Sequence, residues 1–588
     1  MRRLFYIFCI LTTLIWASAC RTESTLPEKT SENDFSALCD EIFAHLVSTD
    51  SLTKNYTLSN PDAYDVKNTP KGLGRYTEES FLSEYSYYEN VLHRLDAIDP
   101  RDLPNKDAFT YSIIDKTFRQ YDDYQKYIFY EEPLSPVSGI CTRLPVLLSE
   151  YHFYGDEDVQ SYFDIIESVP SYFSDIISFE QKKKELGLFM SAEMCNEVIT
   201  ACTDFINGKN NNYLPETFSE KIASVPGITA ETAATYSAKN EQYINDYLIP
   251  SYEKMISALN ELGEDASPSY GLLALPEGKD YYSRLLYQST CSDKSPKQCY
   301  ELLEKTLSGC RSSILKAVIK DPDLSDKLDS LVTPFSSPED IMQHLTNCIT
   351  PTFPVTDKSL CSYTIKYVHP SLEKSLSPAM YITPPIDTIS TDSIYINKAY
   401  TDDDSMFTTL AHEGYPGHMY QTRYFMSTNP HPLRLMLNFA GYCEGWATYA
   451  EIYSYNYCGY DKNATSVLQN EKLSLLCLYA LADIGVHYYG WELEDTISLL
   501  SDNGIDDVDA AKNVHLAVSA EPALYPKYVV SCIELLNMYK YAESKLGGNF
   551  DERDFHNFIL STGPAWFSLI EKELRTWINI EKSHYQKN

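Results

Sequence analysis

The chain has 588 residues, of which 44% are hydrophobic and 22% charged, and its 83 Asp and Glu outnumber 48 Lys and Arg for a formal charge of −35. A surface of that sign repels nucleic acid and anionic lipid headgroups, which argues against nucleic-acid binding. The length exceeds what one hydrophobic core usually supports, so two lobes are expected.

Arg2 and Arg3 precede the apolar run Leu4 to Trp16, which is too short to span a bilayer and ends in Ala17-Ser18-Ala19-Cys20. Small residues directly before a cysteine resemble a bacterial lipobox. Residues 1–19 are therefore read as a signal peptide, Cys20 as the lipidated residue, and 20–33 as a polar tether holding an extracytoplasmic body to a bacterial membrane. No later stretch is long and apolar enough to span a bilayer. Of the 15 cysteines, Cys291 and Cys299 are near enough in sequence to be a candidate disulfide in an exported chain. Most of the others read as small buried hydrophobes.

From residue 34 the pattern is helical. Asp34 to Val47, Tyr111 to Tyr130, Thr229 to Glu264 and Ser295 to Ile319 carry apolar residues at three-to-four spacing. Pro250 is expected to kink or split the third of these. The pattern then changes: Ser362 to His369, Ala379 to Thr383 and Ser393 to Asn397 read as short strands rich in β-branched and aromatic residues. Helices resume with Ser405 to His412, Leu433 to Tyr457, Val467 to Tyr489, Ala510 to Ala517 and Pro526 to Lys545. The class predicted is mostly α, with an N-terminal helical lobe over 34–355 and a catalytic, metal-binding lobe with a small sheet over 356–588.

The sharpest motif is Ala411-His412-Glu413-Gly414-Tyr415-Pro416-Gly417-His418. Two His four apart on a helix share a face and can share a metal, while a Glu beside the first reaches the water to be activated. Here the two His are six apart. On an ideal helix their directions would differ by about 240°. Pro416 removes a helical hydrogen bond and Gly417 tolerates unusual dihedrals, so the pair can break the helix and turn His418 back towards His412. Catalytic zinc needs a further protein ligand and an open position. Downstream, Glu444 and Glu451 lie seven apart in Gly441-Tyr442-Cys443-Glu444-Gly445-Trp446-Ala447-Thr448-Tyr449-Ala450-Glu451. They share one side of a predicted helix. Apolar neighbours surround Glu444, so its carboxylate must pair, protonate or bind a cation. The expected metal ligands are His412, His418 and Glu444, with Glu413 as general base and Glu451 orienting a His ring.

These elements resemble a bacterial family known as domain of unknown function 885. Its hallmark is a strand, then His-Glu-x-x-Pro-Gly-His, then Glu-Gly-Trp-Ala-x-Tyr-x-Glu, matched by Tyr395-Ile396-Asn397, His412 to His418, and Glu444 to Glu451. The resemblance is strong over residues 360 to 588 and extends to Asp483-Ile484-Gly485-Val486-His487 and to Tyr528. Met419 stands where relatives often carry a second His, and Tyr525-Pro526-Lys527 replaces a Gly- and Ser-containing run. The family is similar to zinc oligopeptidases and carboxypeptidases of mostly helical, cleft-bearing fold. The resemblance implies that His487 and Tyr528 face the oxyanion, and Asp483 either orients His487 or accepts from backbone. The strand at Tyr395 and Asn397 is expected to hold an extended substrate.

Together these readings point to a zinc-dependent peptidase acting outside the cytoplasmic membrane. Two alternatives share the residues. One is a non-catalytic peptide-binding surface lipoprotein, which the intact set of Glu413 and three ligands disfavours. The other is a metallohydrolase acting on an ester or a non-peptide amide.

Overall fold

The computed structural model describes residues 32–136, 138–208, 213–267, 271–331, 335, 337–354, 362–370, 373, 377–388, 392–401 and 405–585. The expected signal peptide, Cys20 and the tether up to residue 31 lie outside the described residues. The chain is mostly α, with one three-stranded sheet among the described residues.

The first helix, α1 (Glu32–Val47), realises the predicted segment from Asp34. Two more, α2 (Ile140–Glu150) and α3 (Asp156–Leu186), build a core of their own with residues between Leu52 and Leu262. The predicted Thr229 segment is interrupted by a wide helical turn just before Pro250, and the backbone stays helical at both joints. Thr229 caps Ala230–Tyr243 by accepting from Thr232 N, a wide turn follows at Ile244–Leu248, and Ile249–Gly263 continues with Pro250 in its first turn. Proline tolerates that place because the N–H it lacks would have no helical partner there. Ser295 and Gln298 form a reciprocal cap on α4 (Pro296–Lys320).

Three strands follow, β1 (Tyr363–Tyr367), β2 (Ala379–Ile382) and β3 (Asp392–Ile396), in the spatial order β1-β3-β2. β1 runs parallel to β3, with Tyr363 opposite Asp392, and β2 antiparallel, with Ala379 opposite Ile396. This order corrects the expected substrate strand. β3 is central, so both its edges are already paired, and a further strand cannot add to it. Its end residues are also committed. The Tyr395 hydroxyl donates to Glu150 Oε2 at 2.6 Å, and Asn397 donates to the Glu373 carbonyl at 2.7 Å while accepting from Ala399 N at 3.1 Å. The strand that presents an edge towards the predicted site is β2.

Two short helices, α5 (Met406–Glu413) and α6 (His418–Ser427), come next, then α7 (Ala440–Ser454), α8 (Lys462–Ile484) and α9 (Leu524–Leu546). α8 packs between α4 and α9, and α7 lies against α9. The α7–α9 crossing is close because it passes over glycine. A Cβ on Gly445 would stand 2.6 Å from Ser531 Cβ, nearer than carbon atoms pack. The largest core cluster runs from Phe35 in α1 through the sheet and α5 to Ile578. Residues on both sides of the expected 355/356 boundary share this core. Cys291 and Cys299 are buried free thiols, not a disulfide.

Candidate metal centre

The chain break between α5 and α6 has a steric cause. A Cβ on Gly417 would lie 1.8 Å from the His412 carbonyl oxygen and 2.4 Å from that of Ala411, so only glycine fits. The Tyr415-Pro416 peptide is cis. The Trp446 indole on α7 donates to the Pro416 carbonyl at 2.8 Å, which ties the turn to the helix carrying Glu444. The helix direction is reset there, and His418 comes back beside His412. Their rings stand 4.9 Å apart, near perpendicular at 82°.

Glu444 Oε2 lies 3.5 Å from His412 Nε2 and 3.4 Å from His418 Nε2. All three side chains are buried, at 1 to 3% exposure. Neither His412 Nε2 nor Glu444 Oε2 has a hydrogen-bond partner among the described residues. Orphaned polar atoms in a dry interior cost free energy unless a cation takes them. Ligands about 2.0–2.1 Å from a tetrahedral zinc stand about 3.3–3.4 Å from one another. The observed spacings match that figure, so two imidazoles and one carboxylate stand where they could hold a metal ion.

Two carboxylates compete for the third ligand position, because ligand atoms of His412, Glu413 and His418 also fall within 4.8 Å of one another. The hydrogen bonds decide between them. Glu413 Oε2 accepts the Tyr381 N–H of β2 at 2.9 Å, which holds that carboxylate towards the sheet. Glu444 Oε2 has no such tie and sits close to both ring nitrogens. Glu444 is therefore the carboxylate placed to act as a third ligand, with Glu413 beside it.

Glu451 and His412 meet on the opposite side of the ring, with Oε2 3.3 Å from Nδ1, and Lys472 of α8 approaches Glu451 Oε1 at 2.6 Å. A carboxylate at Nδ1 leaves Nε2 to face the metal position. Burial drives Glu451 upward, but Lys472 and His412 outweigh it and hold the carboxyl at about 2. Burial pushes Glu413 up to about 7 and Glu444 up to about 8, and pushes His418 down. Lys472 balances Glu451. Among the described residues neither Glu413 nor Glu444 pairs with a lysine or arginine, and Lys527 only partly offsets the burial of Glu444, so the pocket could accept a divalent ion. Lys472 is invisible to motif reading, since it lies one helix away in sequence. It follows Gln469-Asn470-Glu471 in a polar stretch of α8, where a lysine carries no signal of its own.

Tyr528, on the first turns of α9, is buried with its hydroxyl unpartnered among the described residues, and its ring lies 6.3 Å from that of His412. Burial, then the charges of Glu444 and Glu413, push its pKa well up, so it remains a proton donor. His487 is placed differently from expectation. Its Nδ1 accepts from Leu272 N at 3.0 Å and its Nε2 donates to the Val518 carbonyl at 2.7 Å. With both ring nitrogens spent on backbone, it has no N–H left for an oxyanion. Asp483 does not orient that ring. Its Oδ1 accepts from the Tyr282 hydroxyl at 2.7 Å and from Ala523 N at 3.0 Å, at the start of α9. Tyr282 in turn stacks on His487 at 5.2 Å. Asp483 thus holds the end of the helix that carries Tyr528.

A cavity of about 660 Å³ adjoins these elements. Thr383 and Pro384 beyond β2, Ala440 at the start of α7, and Glu521 and Pro522 before α9 line it, as do His487 and, from α2, Arg143. The ligand side chains are not among its lining residues. Among the described residues no helix is long and apolar enough to cross a membrane.

A family model described as "Bacterial protein of unknown function (DUF885)" matches residues 66–574. No curated protein matches the sequence significantly. Among solved structures, a candidate lipoprotein from Colwellia psychrerythraea superposes with a TM-score of 0.81 at 17% identity, covering 94% of this chain and all of that one. A candidate lipoprotein of unknown function from Shewanella oneidensis superposes with a TM-score of 0.63 at 15% identity, covering 93% of this chain and all of that one. At these identities the likeness is one of fold.

Proposed function

We propose a zinc-dependent peptidase on this premise: the chain belongs to the DUF885 family of bacterial proteins of unknown function. The observation that carries the reading is Glu444 Oε2, unpartnered among the described residues and 3.4 to 3.5 Å from the Nε2 atoms of both histidines. His412, His418 and Glu444 would hold the ion. A zinc ion so held supplies a Lewis acid that polarises a carbonyl and lowers the pKa of water.

The chain's own residues supply the rest. Glu413, raised to about 7 by burial, is matched to taking a proton from water near neutral pH and passing it to the leaving amine. The Tyr381 N–H fixes its direction. Tyr528 offers an O–H to the developing oxyanion, a donor that needs no reorganisation because it is already desolvated. Glu451 and Lys472 keep the His412 ring in its tautomer. β2 presents the sheet edge nearest Glu413, and an extended peptide pairing there would lie along the site. The lipobox-like Ala17-Ser18-Ala19-Cys20 and the candidate lipoproteins of like fold support an exported chain anchored through Cys20.

The test is hydrolysis of a mixed peptide library by the zinc-loaded protein beside its Glu413→Gln variant. Cleavage by the parent and none by the variant, at equal metal content, is the expected result. Activity that survives the substitution would mean a different base. Cleavage confined to ester substrates would move the reading to another hydrolase class, since the same Lewis-acid chemistry serves both.

A further inference from the structure

In a chain this acidic, the cavity holds one cationic side chain among its described lining residues, Arg143. Around it the walls are mainly apolar and aromatic, with carboxylates at Asp50, Glu131, Glu132 and Glu521, most of them spoken for. Asp50 accepts from Leu52 N at 2.8 Å and Thr53 N at 2.9 Å, capping Ser51–Thr57. Glu132 pairs with Lys183 at 2.7 Å. Glu521 accepts from the hydroxyls of Ser135 and Ser138, the latter at 2.6 Å. Arg143 has no such engagement. Glu521 is close enough to attract it, but among the described residues its guanidinium makes no hydrogen bond and no ion pair.

An arginine fork has five donors in a fixed plane that matches a carboxylate with two parallel bonds. Half-buried and unengaged by other described residues, it can offer those bonds to a ligand in the cavity. The cavity that Arg143 lines also reaches Glu521 and Pro522, just before the helix that carries Tyr528. Glu521, which attracts Arg143, acts on Tyr528 as well, and Tyr528 feels Glu413 and Glu444.

We infer that Arg143 receives a carboxylate of the substrate, which makes the preferred substrates short peptides with a free C-terminus or an acidic side chain. This rests on the peptidase reading and narrows it. Asp50, Glu132 and Glu521 disfavour a second carboxylate beside them, which helps to set which way the peptide lies. The arginine was beyond motif reading because it stands in a helix some 270 residues before His412.

The test uses the mature zinc-loaded protein carrying Glu413→Gln, so that binding is read without turnover, with calorimetric titration of three peptides. These are tetraalanine as the free acid, tetraalanine amide, and the amide with glutamate in the last position. A charge-assisted pair predicts about 10- to 100-fold tighter binding of a carboxylate-bearing peptide than of tetraalanine amide. Preference for the free acid alone assigns the C-terminus, and preference for the glutamyl amide assigns the side chain. Adding Arg143→Gln should abolish the preference, and Arg143→Lys should keep part of it. Equal binding of all three peptides overturns the inference, as does a preference that survives Arg143→Gln. The parent comparison decides even if that variant fails to fold. Library hydrolysis by the unsubstituted enzyme without carboxylate preference would refute only the Arg143 assignment. An Arg143-dependent preference without hydrolysis would refute only the peptidase.

Discussion

Replacing Gly417 with alanine tests the steric basis of the metal centre. The added Cβ would sit 1.8 Å from the His412 carbonyl oxygen. Non-bonded carbon and oxygen rarely approach closer than about 3.3 Å, so the turn must open by about 1.5 Å. A metal site tolerates ligand displacements of about 0.2 Å, and His418 is the residue that immediately follows. Zinc affinity should fall by at least about 100-fold, more than loss of an orienting partner alone. Stability should fall by about 1–3 kcal/mol from overpacking. Zinc affinity is read by competition with a chromophoric chelator, and stability by thermal melting of the metal-free protein. Gly309→Ala is the control. Gly309 is exposed inside α4 with nothing within 4 Å of an added Cβ. That change should stabilise by about 0.5–1 kcal/mol and leave zinc binding alone. A Gly417→Ala protein that binds zinc as tightly as its parent would refute the steric reasoning.

Further outcomes follow from the residues around the ligands. Glu451→Gln should weaken zinc by about 10- to 100-fold in the same competition assay, because the group facing His412 Nδ1 loses its charge. Tyr528→Phe should retain zinc while kcat falls by about 100- to 1000-fold with little change in KM, read by steady-state kinetics. Asp483 lies away from the ligands, and burial raises its pKa from 3.8 to about 7. A raised folded value means that its stabilising contribution is complete below the unfolded pKa and is lost as pH rises towards 7. Between pH 5 and 7 the parent should lose about 2–3 kcal/mol that Asp483→Asn does not, and parallel melting curves across that range would contradict this.

The convergence of His412, His418 and Glu444 was legible because its signals are local. Pro416 and Gly417 mark a break, and the apolar neighbours of Glu444 mark a buried carboxylate. Helix placement was legible for the same reason, as the Thr229 and Ser295 caps and Pro250 show. The order of the strands was not. β3 alternates buried and half-buried residues, and alternation identifies a strand without telling whether it is central or at an edge. The substrate strand was accordingly misplaced. His487 and Asp483 were assigned through resemblance, yet their partners, Leu272, Val518, Tyr282 and Ala523, come from distant segments that no spacing rule brings together. Lys472 and Arg143 are the same kind of residue, meaningful only once separate helices are packed. The 355/356 boundary follows a change in composition, whereas the core follows packing and joins α1 to the C-terminal helices.

The most direct test of the account is zinc stoichiometry, measured by elemental analysis on protein stripped with chelator, reloaded and desalted. The account predicts about one zinc per chain, retained in Glu413→Gln and lost in His418→Ala and Glu444→Gln. A parent that retains no zinc, or a Glu444→Gln variant that holds it as firmly as the parent, would contradict it.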